Sequence, residues 1–365
     1  MPNRVPVFAR ILALVAVLGA PSALAQPVVR ILNWADYIDE ATVPRFERAS
    51  GIKATYETFD TAEELEERLL SGAPETDLTA TGGQFLARQI KNGVFRPLDR
   101  SKLPNWRHLA PEVLRLLARF DPDNRHAVPY LWGTIGIGYN VAAMKDRMAE
   151  APLVSLKQLF DPEVLARFSD CGIGFVDSPG EVVPAVLRHL GEDPDSKDPR
   201  ILAKAEPVLQ AIRPYVTRFN STSYLDDLAG GGLCLVFGWS SDILQAMDNA
   251  KEAKRGVEIA YRIPAEGAAA WFDAFAIPAE AVNLAEAHRF LDFLLEPDTA
   301  ARVTGAIGLA NANAAATPRV DAEVRNNAAV YPPPEIMAKL FAVGPYDARA
   351  ERYLTGLWAR IKGKP

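Results

Sequence analysis

Apolar positions along the chain alternate between two periods. Short apolar runs are each followed by a segment with helical spacing. Val28–Trp34 (VVRILNW) is apolar apart from Arg30 and Asn33, which predicts a strand covered on both faces. Asp39–Gly51 (DEATVPRFERASG) predicts a helix stopped at Gly51. Ile52–Phe59 (IKATYETF) alternates roughly, as a strand does. Thr61–Gly72 (TAEELEERLLSG) opens with a Thr61/Glu64 capping box and predicts a helix closing at Gly72. Asp77–Thr81 (DLTAT) and Gly83–Gly93 (GQFLARQIKNG) repeat the unit as a short strand and a short helix. Such repeats argue for an α/β domain with a largely parallel sheet. Arg125–Asn140 (RHAVPYLWGTIGIGYN) breaks the pattern with Pro129, Gly133, Gly136 and Gly138, and reads as a crossover into a second unit. That unit holds CGIGFVD, the helical EVVPAVLRHLG and ILAKAEPVLQAIRPYV, and the strand GGLCLVFGW. Texture changes again at AEGAAAWFDAFAIP, before the helical AEAHRFLDFLLEP and a helical, loop-rich tail from ATPRV onward.

The 365 residues, 49% of them hydrophobic, suffice for two domains. Residues 1–25 stand apart. Arg4 and Arg10 precede the apolar Ile11–Ala20, and Ala23–Ala25 is a small-x-small cleavage site, the layout of a secretory signal peptide rather than a membrane anchor. Losing Arg4 and Arg10 with that segment would make the formal net charge of −6 more acidic by two. This excess of acid argues against a nucleic-acid partner and is consistent with a cationic ligand. The only cysteines, Cys171 and Cys234, both lie in short apolar runs. They are either buried thiols or a bridge, and export favours the bridge.

Catalytic signatures are missing: there is no P-loop, no H-E-x-x-H, and GWSSD lacks the final Gly of a nucleophile elbow. His108, His126, His189 and His288 are scattered without metal-ligand spacing, so no metal or cofactor is expected. What recurs is Trp closely followed by Asp at the end of an apolar strand: Trp34/Asp36, Trp239/Asp242 and Trp271/Asp273 take three of the six Trp. Carboxyl ends of parallel strands line the ligand crevice of α/β folds. Indole walls with acids at their margins suit an elongated organic cation, through cation–π attraction and charge-assisted hydrogen bonds. Any single pair could instead be a core Trp beside a helix-capping Asp.

Longer stretches resemble a known family: NWADYI, FDTAEELEERLLSG, FLARQIKNGVFRPLDRSKLPNW, DPDNRHAVPYLWGTIGIGYN, YLDDLAGGGLCLVFGWSSD, WFDAFAIPAEA and ANANAAATP. Together they are similar to the periplasmic polyamine-binding proteins of ABC importers, close to the putrescine-binding type. The resemblance implies a two-lobed periplasmic-binding-protein fold (type II), with a ligand cleft between lobes joined by hinge crossings. Lobe 1 would be 26–133 plus 269–315, and lobe 2 would be 134–268 plus 316–365. It implies ligand contacts from Trp34, Asp36, Tyr37, Phe85, Glu181, Ser221, Trp239, Asp242, Trp271 and Asp273, with Asp273 the main ammonium anchor. Gly82 and Gln84 replace hydroxyl residues of the putrescine type, and Leu309 replaces a Tyr. Ser178 stands where longer-polyamine proteins carry an acid. These four positions are expected to alter ligand length preference. The implied protein is a periplasmic monomer that delivers a small cationic amine to an inner-membrane ABC permease. Two other classes fit the Trp and acid content: a secreted sugar-binding protein or glycoside hydrolase, and an amine-responsive signalling adaptor.

Overall fold

The computed structural model describes residues 26–70, 76–148 and 153–363. The segment read as a signal peptide and the helix stop at Gly72 lie outside them. Ten strands form one continuous sheet: Val28–Trp34 (β1), Lys53–Phe59 (β2), Leu78–Gly82 (β3), Ala127–Asn140 (β4), Ile173–Phe175 (β5), Arg218–Phe219 (β6), Leu235–Trp239 (β7), Ile259–Arg262 (β8), Ala270–Ala276 (β9) and Ala310–Asn311 (β10). Their order is β2-β1-β3-β9-β4-β7-β5-β6, with β10 and β8 also paired to β4. The early strand and helix expectations hold. The first helix, Thr42–Ser50, stops at Gly51, whose N–H bonds the Glu47 carbonyl at 2.9 Å. Thr61 Oγ1 accepts from Glu64 N at 3.1 Å, and the Glu64 carboxylate returns to Asp60 N at 3.1 Å.

The sheet is parallel only toward its outer edges. β1 pairs parallel with β2 and β3, and β5 pairs parallel with β6 and β7, whereas every ladder of β4 and β9 is antiparallel. The expected crossover at residues 125–140 is made by one unbroken strand of 14 residues, β4. Its glycines make room for neighbours rather than turns. A Cβ at Gly133 would lie 2.5 Å from the Trp271 ring, and one at Gly136 would lie 2.5 Å from the Tyr261 hydroxyl.

β4 belongs to both halves of the molecule. Ala127–Thr134 pairs with β9, and Ile135–Tyr139 pairs with β7. Two cores flank that switch. Phe46, Phe272, Phe275 and Phe290 are buried in one, and Phe168, Phe175, Phe237 and Tyr224 in the other. Each buried ring is worth about 1.5–3 kcal/mol. Two further passages cross here, one hydrogen-bonded to β4 and the other hydrogen-bonded to the first. Ile135 N bonds the Ala269 carbonyl at 3.0 Å, and Ala270 N bonds the Phe341 carbonyl at 2.7 Å. In the tail, Val330, Leu340 and Ala342 bury in the first core, whereas Val343 and the helix Ala348–Ile361 pack in the second. A cross-lobe ion pair lies at this third passage: Arg119 contacts Asp195, which also accepts from Gly344 N at 2.8 Å.

Cys171 and Cys234 form a disulfide across a sequence separation of 63. It precedes β5 and β7, at the ends away from Trp239, about 16 Å along β7. Closing a loop of that length removes about 4 kcal/mol of unfolded-state freedom. Replacing both cysteines by Ala is expected to lower stability by about 2–4 kcal/mol in denaturant unfolding. Ligand affinity, measured by calorimetry, should stay within about twofold, a change below 0.5 kcal/mol.

Candidate functional site

A cleft of about 740 Å³ opens between the two halves, within the range of small-molecule sites. Trp34 ends β1 and Trp239 ends β7, as expected. The third pair differs: Trp271 and Asp273 lie at the start of β9, not its end. They reach the same edge because β9 runs antiparallel to β3, in register Gly82↔Asp273. Direction reversal, which strand-end reasoning does not contain, thus brings all three Trp to one cleft.

Asp273 is the best-defined acid. Tyr37 Oη donates to its Oδ2 at 2.8 Å. Tyr37 is itself fixed: its carbonyl accepts from Tyr130 Oη at 2.8 Å and from Asn33 Nδ2 at 3.2 Å. Burial and then the Asp273 charge push the Tyr37 phenol well above its ordinary range, so it remains a donor. Burial pushes the Asp273 carboxyl up to about 6, with Tyr37 and the nearby Trp34 indole N–H holding it partly back. Tyr37 therefore both lines the cleft and holds its acid in place. Trp34 is buttressed by Phe59, ring centroids 4.4 Å apart.

Asp242 faces the cleft from the other half, in the first turn of the helix Ser240–Ala253. Tyr224 Oη donates to it at 2.8 Å and accepts from Trp239 N at 3.1 Å. Ser241 Oγ donates at 2.9 Å. Burial nonetheless raises the Asp242 carboxyl above its ordinary range. Gly238 makes this possible, since a Cβ there would lie 2.6 Å from the Tyr224 ring. Gly238→Ala is expected to displace Tyr224, costing about 1–3 kcal/mol of stability on thermal unfolding and weakening ligand binding in the same protein.

Ser221, Phe85, Gly82 and Gln84 also line the cleft. A Cβ at Gly82 would lie 3.7 Å from Asp273 Oδ1, so a hydroxyl residue there would sit beside that acid. Glu181 opens onto a separate void of about 50 Å³, next to the third passage. Burial pushes its carboxyl up to about 7, with the Trp239 indole N–H holding it partly back. Besides Glu181, three expected residues are not brought to the cleft lining. Asp36 is exposed in a turn with φ 52°, a conformation Asp tolerates. Ser178 is the residue before the helix Pro179–His189, and Leu309 is buried in the first core. Conversely, Tyr224 supports the site, and Asp60, Ser241 and Gln245 line it, without having been singled out from sequence. Phe59–Asp60 repeats the aromatic-plus-acid strand end with Phe in place of Trp, a signal the Trp spacing alone misses.

Among the described residues, no Lys, Arg or His forms an ion pair with Asp242, Asp273 or Glu181. Acids from both halves thus meet between indoles without a counter-charge from the protein. The family of bacterial extracellular solute-binding proteins matches residues 41–332. The chain belongs to that family. It is a binding protein and not an enzyme, and its two-lobed α/β architecture is the family's. The putrescine-binding periplasmic protein PotF of Escherichia coli is 46% identical over 352 residues, 96% of this chain and 95% of that one. The putrescine-binding periplasmic protein SpuD of Pseudomonas aeruginosa is 43% identical over 348 residues, 95% of each chain. Among solved structures, the spermidine/putrescine transporter substrate-binding protein PotD of Streptococcus pneumoniae superimposes with a TM-score of 0.84 at 26% identity. That match covers 93% of this chain and 99% of that one.

Proposed function

We propose that this solute-binding protein captures a small diamine or polyamine in the periplasm and delivers it to an ABC permease as a monomer. Residues 1–25 would direct its export and then be removed. The lobes would follow the expected division except that 316–342, whose Val330, Leu340 and Ala342 pack in the first core, would join lobe 1, leaving 343–363 with lobe 2, hinged at the three adjacent passages. The observation that carries the ligand class is the uncompensated pair Asp273 and Asp242, one from each half, set among Trp34, Trp239 and Trp271. A diammonium ligand supplies the missing charge at both ends, while the indoles cover its methylene chain. Because the ligand touches both lobes, it binds the closed form better and draws the equilibrium toward it. Of the four positions expected to alter length preference, Gly82 and Gln84 line the cleft and support that role. The names of the two high-identity relatives agree with this ligand class. The test is calorimetry on ligand-stripped protein with putrescine, cadaverine, agmatine and spermidine. Binding of at least one with a matching thermal shift is expected; no heat and no shift with all four would sink the proposal.

A further inference from the structure

The strands that meet at the cleft set an order along it. β4 carries the switch between the halves, and in the first half the strands run outward from it as β9, β3, β1 and β2. In the second half they run outward as β7, β5 and β6. Asp273 on β9 and Trp239 on β7 therefore stand beside the hinge, and the ends of β2 and β6 lie farthest from it, at the mouth. Each of these outermost strands supplies one residue to the cleft lining. Asp60 follows β2, and Ser221 lies two residues past β6. Asp60 is three strand spacings from Asp273, about 14 Å along the sheet edge. Trp34 ends the intervening β1, with the Phe59 ring against it.

The place of Asp60 is fixed without its carboxylate. The Phe59 carbonyl accepts from Ala35 N at 3.1 Å, and Asp60 N donates to the Glu64 carboxylate at 3.1 Å. The helix that follows is capped by Thr61. The neighbouring acids Glu57 and Glu64 both pair with Arg68. Among the described residues, nothing donates to the Asp60 carboxylate, and no Lys, Arg or His pairs with it. It is an acid in a ligand cleft that serves neither its own helix nor a neighbour.

We infer that Asp60 forms an outer cation subsite at the cleft mouth, taken by the distal ammonium of a ligand too long for Asp273 and Asp242 alone, an inference that rests on the reading of the cleft as a polyamine site. Putrescine held at Asp273 is too short to reach Asp60. A tetraamine such as spermine covers the span, with its methylene chain across Trp34. The cleft of about 740 Å³ has room for it. Because Asp60 is exposed, water and salt screen the contact, so its contribution is modest and salt-sensitive.

The experiment is calorimetric titration of putrescine and spermine into the ligand-stripped parent, Asp60→Asn, Asp60→Lys and Glu63→Lys, at low and high salt. Asp60→Asn should weaken spermine binding by about threefold and Asp60→Lys by about tenfold. Putrescine affinity should stay within about twofold in both, since Asp60 lies beyond a Debye length of about 8 Å from Asp273. The difference between parent and Asp60→Asn for spermine should shrink at high salt. Glu63 is exposed in the first turn of the next helix and outside the cleft lining, so Glu63→Lys makes the same charge reversal without touching the subsite. It should leave spermine affinity within about twofold. Unchanged spermine affinity in both Asp60 variants overturns the subsite. So does an equal loss in Glu63→Lys, which would assign the effect to the general acidity of the mouth, or an equal loss of putrescine and spermine in the Asp60 variants. If the parent binds putrescine but not spermine, only the subsite falls. If no protein in the series binds either amine, the polyamine reading falls and the subsite falls with it.

Discussion

Asp273→Asn is expected to weaken diamine binding by about ten- to a hundredfold while making the ligand-free protein more stable at neutral pH. The binding loss follows from replacing a charge-assisted bond of about 1.5–3 kcal/mol by a neutral one, with each 1.4 kcal/mol a factor of ten. The shape of the site is kept, because Tyr37 Oη, now 2.8 Å from the carboxylate, can donate equally to an amide oxygen. The stability gain follows from the same carboxyl's shift up to about 6 by burial. Against an unfolded value near 3.9, such a shift penalises the charged form by an amount on the order of 2 kcal/mol at pH 7. Asn removes that penalty. Calorimetry and denaturant unfolding on the same preparation read the two effects. Affinity within about twofold of the parent would show that Asp273 is no anchor, since that is less than 0.5 kcal/mol. A fall in both affinity and stability would point to local misfolding instead.

The ligand-free and ligand-bound proteins should respond to pH in opposite directions. Burial raises Asp273 to about 6 and Glu181 to about 7, and raises Asp242 as well. Between about pH 4 and pH 7 the folded chain therefore holds more protons on these groups than the unfolded chain does. Stability from this source is fully present below the unfolded values and is lost as pH rises through that window. A bound diammonium reverses the preference by favouring the carboxylates, so binding at pH 6–7 should release protons. Affinity should fall as pH drops below about 6, because the acids must first be ionised. Thermal melts at pH 5 and pH 7.5, with and without ligand, should show the ligand-induced shift shrinking toward pH 5. Calorimetry in buffers of different ionisation enthalpy should report the released protons. Heats independent of buffer at pH 6.5 would contradict the linkage.

What the sequence made legible was local chemistry. The three Trp–Asp spacings are short-range patterns, and the expected strands and helices around two of them exist. β4 was hidden because a glycine-rich run reads as punctuation when the reason for each glycine is a ring distant in sequence. The mixed sheet was hidden with it, since strand direction is set by pairings across more than a hundred residues. Glu181 came only through family resemblance: as an acid in the first turn of a helix, it looks like ordinary helix-dipole chemistry. Tyr224 carries no signal of its own, because its value depends on Gly238 and Asp242 meeting it in space. Asp36 shows the converse, an acid of the motif that stands exposed in a turn outside the cleft lining.

The shared strand and the late crossings also govern when this protein can fold. The first core needs β9 and the helix Leu284–Leu294, and the second is sealed by Leu354, Leu357, Trp358 and Ile361. A chain emerging from its N-terminus therefore completes the first core only with segments from its last third, and the second only with almost its last residues. Until then β3 lacks its partner β9, and the strands form no self-sufficient unit. Such a polypeptide is expected to complete neither core for most of its emergence.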